Sequence, residues 1–174
     1  KKVYTNYLYP FLTFDGKVIA VKLGMADASQ LVLLDEGNET ILTGINNIHR
    51  IHSNGSKVVW STEVSDIRWG QRSFADIVIY DLKTNKKKRI TRKEKYYAPA
   101  ISPDGKLVAT VKFDHLMKCK LVLIDSQSGN ETSSFDIPDN VFLRMPSWSE
   151  DGKKIVFTLA KGQERKISVL DINN

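Results

Sequence analysis

The sequence has a single cysteine, Cys119, among its 174 residues. One cysteine excludes an intramolecular disulfide and any metal site built from several thiolates. The chain also lacks an apolar run near the roughly 18 residues that a membrane-spanning helix needs, and its first ten residues lack the regions of a signal peptide. With 41% hydrophobic and 26% charged residues, it has the composition of one globular domain with a hydrophobic core.

Motifs of the common catalytic and metal sites are absent as well. There is no G-x-S-x-G elbow, no H-E-x-x-H motif and no P-loop. His49 and His52 are three residues apart on a predicted strand, so their side chains point to opposite sides. His115 falls in a predicted loop. We therefore expect no catalysis, no cofactor and no metal in this segment.

The net charge of +6 comes from one short stretch of the chain. Residues 83–95 hold eight basic side chains and one acidic side chain, so the other 161 residues sum to −1. Binding to nucleic acid, which needs a broad basic surface, is therefore not predicted. Two interpretations of the basic stretch remain. Its lysines either protect an outer strand from edge-to-edge pairing, or they contact an acidic partner or an anionic membrane surface.

Four similar segments follow one another, each centred on a glycine turn. An Asp-Gly or Asn-Gly pair between two alternating apolar runs is typical of a β-hairpin, because glycine adopts the positive φ that the turn needs. An aspartate in such a turn stabilises the bend by accepting bonds from backbone N–H groups, so these aspartates are not expected to form a catalytic set. The four turn glycines are Gly16, Gly55, Gly105 and Gly152.

A second apolar strand follows each turn and ends in an aspartate, at Asp35, Asp81, Asp125 and Asp171. Successive turn glycines are 39, 50 and 47 residues apart. A period of about 40 to 50 residues with three or four strands per repeat is typical of a β-propeller blade, and no segment has helical periodicity over three turns. The sequence therefore predicts one all-β propeller domain over residues 1–174, with blades at about 7–43, 48–91, 97–137 and 143–174.

The fourth repeat stops after its third strand, which leaves two interpretations open. Residues 1–5 supply the missing outer strand and close a ring of four blades, which removes exposed sheet edges. Alternatively, the four blades belong to a larger propeller.

Two of the turns carry a recognisable signature, SPDGK at Ser102–Lys106 and SEDGK at Ser149–Lys153. These residues resemble the repeat of TolB-type propellers, which also builds the propellers of prolyl oligopeptidase and dipeptidyl peptidase relatives. The resemblance covers essentially the whole chain, although the pattern is degraded at Phe14–Gly16 and Ser53–Gly55. It implies a scaffold in the periplasm or envelope of a bacterium, and it does not fix a ligand.

The connection after the second strand of blade 2, residues 62–76, is about seven residues longer than its counterparts. In a propeller, this connection emerges on the same side as the connections between blades, and long loops there are commonly functional. Arg68, Trp69 and Arg72 combine two planar cations with a flat ring, which suits a carboxylate, a sugar acid or a peptide backbone.

Tyr96 and Tyr97 lie in the next connection on that side, and we expect them to join the same ligand-binding site. The alternative is a loop that folds back on itself, with Trp69 filling a gap and the arginines paired to Asp66 and Asp76.

These features predict a non-enzymatic propeller scaffold that binds a protein or peptide on its loop-bearing side. Two other functions stay open. The chain is the accessory propeller of a serine peptidase whose catalytic domain lies outside this segment, or it binds an acidic carbohydrate. Nothing in the sequence indicates the oligomeric state.

Overall fold

A computed structural model describes residues 5–24, 28–46, 48–66, 68 and 73–172, with the backbone alone described for Ile48 and His49. The alternating apolar runs form strands, and every strand pairs antiparallel with the next one along the chain within its sheet. The described residues contain no helix. The strands are β1 (Thr5–Leu12), β2 (Val18–Gly24), β3 (Gln30–Asp35), β4 (Asn38–Gly44), β5 (Ile48–Ser53), β6 (Lys57–Ser65), β7 (Ser73–Asp81), β8 (Lys86–Arg89), β9 (Tyr96–Ile101), β10 (Leu107–Phe113), β11 (Cys119–Asp125), β12 (Glu131–Asp136), β13 (Phe142–Trp148), β14 (Lys154–Lys161) and β15 (Glu164–Asp171).

The strands form four sheets in chain order, β1–β4, β5–β8, β9–β12 and β13–β15. We call them the first to fourth sheets and label the strands within each sheet a to d. The all-β architecture of four propeller blades is thereby confirmed. Of the proposed closing strand, Thr5 lies in β1 opposite Gly24, and residues 1–4 lie outside the described residues.

The hydrophobic core consists of three clusters, each between two consecutive sheets. Ile19 and Trp60 represent the cluster between the first and second sheets. The next cluster joins the second and third sheets, and the last joins the third and fourth. Among the described residues, no cluster joins the fourth sheet to the first. The four sheets therefore form an open arc, as expected for part of a larger ring.

Strand a of every sheet is bent at the same place. Its register against strand b shifts there in all four sheets. In three of them, the residue at the shift has a positive φ, at Tyr9 (55°), Ala98 (48°) and Met145 (52°). Such β-bulges increase the local twist of the strand. None of these residues is a glycine, but each is followed directly by a proline, at Pro10, Pro99 and Pro146, and a proline within a strand is typical of a bulge or an edge.

The a–b and c–d turns lie at one end of the sheets, which we call the turn side. The predicted role of the turn aspartates is confirmed there. Asp104 Oδ1 accepts bonds from Ser102 Oγ (2.6 Å) and from the Lys106 N–H (3.0 Å). Asp151 accepts equivalent bonds from Ser149 Oγ and the Lys153 N–H.

Successive turns also bind one another. The Phe14 N–H donates to the Gly55 carbonyl (3.3 Å). Asn54 Nδ2 donates to the carbonyls of Ser102 (3.1 Å) and Pro103 (3.2 Å). The turns of the first three sheets are therefore held to one another by hydrogen bonds. The opposite end of the sheets, which carries the b–c hairpins and the connections between sheets, is called the loop side below.

Candidate functional site

The long b–c connection of the second sheet is shorter than the sequence suggests. Strands β6 and β7 continue pairing as far as Ser65 opposite Ser73, with Val64 opposite Phe74. Only residues 66–72 connect them. The predicted bounds of 62–76 are therefore wrong, because β-branched and aromatic cross-strand pairs extend the hairpin at the expense of the loop.

Arg68 is the one predicted site residue of this hairpin that the structure describes. It is exposed, and its backbone N–H donates to Asp66 Oδ1 (2.9 Å). Trp69 and Arg72 lie outside the described residues. Arg68 thus presents its side chain to solvent on the loop side.

Asp76 is fully buried, and its carboxylate holds the connection between the second and third sheets, residues 90–95. It forms an ion pair with Arg89. It also accepts bonds from Thr91 Oγ1 (3.3 Å) and from the N–H groups of Lys93 (3.2 Å) and Glu94 (3.1 Å). The sequence predicts Asp76 only as a partner for the loop arginines. Its anchoring role depends on residues 13 to 18 positions away, which no local pattern reveals.

Tyr96 lies in the interface between the second and third sheets, where only 2% of it is exposed. Its hydroxyl donates to Glu131 Oε1 (2.5 Å), which also accepts a bond from Lys112 Nζ (2.5 Å). Burial and the bond to Glu131 raise the pKa of Tyr96 far above its usual value. Burial lowers the pKa of Lys112, but the bond to Glu131 together with the interactions with Tyr96 and Glu94 outweighs burial, so that pKa is raised overall. The structure thus assigns Tyr96 to a packed polar network, away from the loop-side surface.

Tyr97 begins a row of three aromatic rings that crosses from the third sheet to the fourth. Its ring meets Phe113 edge to face, with centroids 5.5 Å apart. The ring centroid of Phe113 in turn lies 6.4 Å from that of Phe142, a residue that is 42% exposed. Burial is the main cause that raises the pKa of Tyr97, and the negative charge of Glu63 raises it further. The hydroxyl is therefore neutral near pH 7. The row forms an apolar floor on the loop side.

Two recesses lie along this row. The first has a volume of about 310 Å³ and combines Phe74 and Phe113 with charged side chains of both signs, Lys93, Lys95, Glu94 and Asp114. The second has a volume of about 250 Å³ and is lined mainly by residues 116–119 and 138–142. The b–c connection of the third sheet, residues 114–118, separates the two recesses, and we call it the crest loop.

The crest loop holds two large apolar side chains in solvent. Asp114 Oδ1 accepts bonds from the N–H groups of Leu116 (2.8 Å) and Lys118 (2.9 Å), and Lys118 Nζ lies 2.9 Å from Asp139 Oδ1. Leu116 is 66% exposed and Met117 is 59% exposed. Neither residue is among the site residues predicted from the sequence. The available signal was a Leu-Met dipeptide in a five-residue connection between strands.

Other groups on the described part of the chain give no sign of a metal site. No three His, Cys, Asp or Glu side chains among the described residues could jointly hold an ion. His52 is partly buried, and its ring centroid lies 5.7 Å from that of Phe11. Burial is the main cause that lowers the pKa of His52, and the positive charge of Arg50 adds to it, so that the pKa is about 4. A search of the described residues also finds no helix with the length and apolarity needed to cross a membrane.

Comparison with known proteins gives similarity in structure only. No family model matches the sequence, and no curated protein matches it. TolB from Acinetobacter baumannii is similar over 97% of this chain and 42% of its own, with 21% identity and a TM-score of 0.71. Oligogalacturonate lyase in complex with manganese is similar over 94% of this chain and 50% of its own, with 18% identity and a TM-score of 0.70.

The propeller domain of the Trilobed protease from Pyrococcus furiosus is similar over 98% of this chain and 55% of its own, with 17% identity and a TM-score of 0.61. At these identities the likeness shows the fold, which is the β-propeller fold of TolB and of peptidase propeller domains. The chain spans about half of the length of these structures.

Proposed function

We propose that this propeller scaffold binds a protein or peptide segment on its loop side. The observation that carries the proposal is the crest loop, which holds Leu116 and Met117 in solvent between two recesses. Exposing large apolar side chains is unfavourable in water, and contiguous apolar patches commonly mark interaction sites. Methionine is suited to such a surface because its flexible thioether adapts to different partners.

The charges around the recesses indicate what the partner carries. Arg68 is exposed on the loop side, and Lys93 and Lys95 line the first recess. The acidic residues of that recess are already engaged, Glu94 by Lys112 and Asp114 by N–H groups of the crest loop. We therefore infer a segment with an apolar anchor for the crest loop and acidic side chains for these cations. Tyr97 supports the floor, and Trp69 and Arg72 remain candidate contacts from the β6–β7 connection. Under this proposal the chain binds without catalysing a reaction, in a bacterial envelope as the TolB-type repeat suggests.

The proposal is tested by selecting 12-residue peptides from a random array with the whole chain and measuring their affinity for variants. We expect Met117→Ser to weaken binding of the selected peptides at least tenfold, which corresponds to a lost anchor of roughly 1.4 kcal/mol. Arg68→Ala should weaken the acidic peptides more than the neutral ones. Lys106→Ala, on the exposed turn side, is the matched control.

Selection of no peptide, or equal affinity for Met117→Ser and Lys106→Ala, would overturn the proposal. The same array should carry oligogalacturonides. Their capture in a way that depends on Arg68 would instead favour the acidic carbohydrate alternative.

A second candidate function is the accessory propeller of a serine peptidase. Its support is the likeness to the propeller domain of the Trilobed protease. The sequence of the parent gene distinguishes the two functions, because a peptidase requires a G-x-S-x-G elbow followed by an aspartate and a histidine.

A further inference from the structure

Another recess opens between the outermost strands of the second and third sheets, at the turn side, and we call it the rim recess. Its volume is about 400 Å³. Three lysines line it, Lys86 and Lys88 of β8 and Lys57 at the start of β6, together with one acidic residue, Asp81. Three ammonium groups and one carboxylate give the lining a net charge of +2.

Strand β8 divides its four cations between two faces, because side chains alternate along a strand. Lys87 and Arg89 lie on the face towards the first sheet. There, Arg89 forms an ion pair with a buried carboxylate, and Lys87 Nζ donates to the Gly44 carbonyl (3.2 Å). Lys86 and Lys88 lie on the opposite face and line the rim recess. The basic strand therefore directs two of its lysines into this recess.

The partners that the rim-recess lysines have are carbonyl oxygens. Lys57 Nζ donates to the Gly105 carbonyl (3.0 Å), and Lys88 Nζ donates to the Gln127 carbonyl (2.6 Å). Among the described residues, no ion pair involves Lys57, Lys86 or Lys88. An ammonium group has three N–H donors, so each of these lysines can still donate to an anion.

The corresponding lysine of the first sheet is neutralised within the protein. By the register of strands b and c, Lys17 corresponds to Lys57. Lys17 Nζ lies 3.2 Å from Asp35 Oδ2 and 3.3 Å from Asp15 Oδ2. In the second sheet, Asp81 instead accepts bonds from an N–H (2.8 Å) and a hydroxyl (3.1 Å) of its own c–d turn. The charge that two carboxylates balance in the first sheet is left for a ligand to balance in the second.

We propose that the rim recess binds a phosphate monoester group, held by Lys57, Lys86 and Lys88. A phosphate monoester carries a charge of about −1.5 to −2 at pH 7, which matches the lining better than the single charge of a carboxylate does. Lysine binds phosphate as a point charge, and a monoester has one terminal oxygen for each of the three ammonium groups. The group is carried either by a soluble compound or by a lipid headgroup.

The test is a titration of the whole chain with inorganic phosphate at a constant ionic strength of about 100 mM, followed through amide NMR shifts. We expect saturable shifts at Thr84 and Gln127, which line the recess, and weaker binding of acetate. Lys57→Gln and Lys86→Gln should each weaken phosphate binding roughly tenfold, through the loss of a charge-assisted hydrogen bond. Lys87→Gln is the matched control, because it removes the same charge from the opposite face of β8 and should leave the affinity nearly unchanged.

Vesicles distinguish the two sources of the phosphate. Vesicles of phosphatidylcholine and phosphatidic acid in a ratio of about 4:1 present monoesters, whereas phosphatidylglycerol in the same ratio presents diesters. Cosedimentation with the first kind alone, lost in Lys86→Gln, assigns the ligand to a lipid. Binding of inorganic phosphate without cosedimentation assigns it to a soluble compound.

Three results would overturn the proposal. The first is the absence of saturable shifts up to about 20 mM phosphate. The second is equal weakening by Lys86→Gln and Lys87→Gln, because binding would then follow overall charge. The third is tighter binding of hexaglutamate than of phosphate at Thr84 and Gln127, because the recess would then recognise an acidic peptide. None of these results affects peptide binding at the crest loop, so the two proposals fail independently.

Discussion

The turn side and the loop side of the molecule are built from the same strands but differ in how their connections are held. On the turn side, the turns of the first three sheets bind one another, as Asn54 does to the carbonyls of Ser102 and Pro103. On the loop side, the b–c connections range from two to seven residues, and recesses open between them. The turn side must repeat because every blade has to fit its neighbour there. The loop side is free to differ from blade to blade, which is where specific recognition develops.

The largest expected effect comes from substituting a glycine on the turn side. Gly129, in the c–d turn of the third sheet, has a φ of 80°, and a Cβ placed there would lie 1.9 Å from the Ile90 carbonyl oxygen. We expect Gly129→Ala to lower the free energy of unfolding by about 4 kcal/mol, because backbone strain adds to the overlap.

Gly37, in the c–d turn of the first sheet, is the matched control. Its φ is 85°, but nothing lies within 4 Å of an added Cβ. Gly37→Ala should therefore cost only about 1 kcal/mol. Urea denaturation of both variants measures the difference. Equal losses would show that close packing of the turn side contributes little.

A smaller effect is expected from Asp76, which holds the connection between the second and third sheets. Asp76→Ala leaves Arg89 and two backbone N–H groups without their partner, and we expect a loss of about 3 kcal/mol. The control is Asp66→Ala in the same hairpin, which removes one acceptor near the surface and should cost less than about 1 kcal/mol. Thermal melting compares the two. If Asp76→Ala melts like the control, the connection 90–95 is held by other contacts.

The smallest expected effect concerns pH at the turn-side end of β5. The pKa of His52 falls from 6.5 to about 4 on folding. Between these values the unfolded chain takes up a proton and the folded chain does not, so the stability present above pH 6.5 is lost as the pH falls. Because His52 is only partly buried, we expect about 1 kcal/mol to be lost between pH 6.5 and 5, below the roughly 1.4 kcal/mol per unit of a full shift.

His52→Gln should remove this slope, and His115→Gln, at an exposed loop residue, should retain it. Urea midpoints at pH 7.5, 6.5 and 5 provide the measurement. The same slope in His52→Gln and the unmodified chain would assign the pH dependence to other groups.

Most of the fold could be predicted from the sequence because its determinants are local. Asp104-Gly105 and Asp151-Gly152 specify their turns within five residues, and alternating apolar runs specify the strands between them. The bulge at Ala98 is absent from the prediction, although Pro99 follows it directly and a proline within a strand is typical of a bulge.

The candidate site was predicted less well because it depends on packing between sheets. Tyr96 and Tyr97 are adjacent in sequence, and neighbouring side chains of a strand point to opposite faces. Tyr96 is therefore buried against the second sheet, whereas Tyr97 lies in the aromatic row on the loop side. The partner of Tyr96 is Glu131, 35 positions away. Leu116 and Met117 were missed because the crest loop has neither periodicity nor an unusual length.

The division of the core into clusters between consecutive sheets also bears on how the chain folds. Each cluster of the described residues joins two sheets that are consecutive along the chain. Folding is fastest when native contacts are local, and arrays of repeats propagate from one unit to the next. During synthesis, the first two sheets can therefore pack together before the ribosome has translated the fourth.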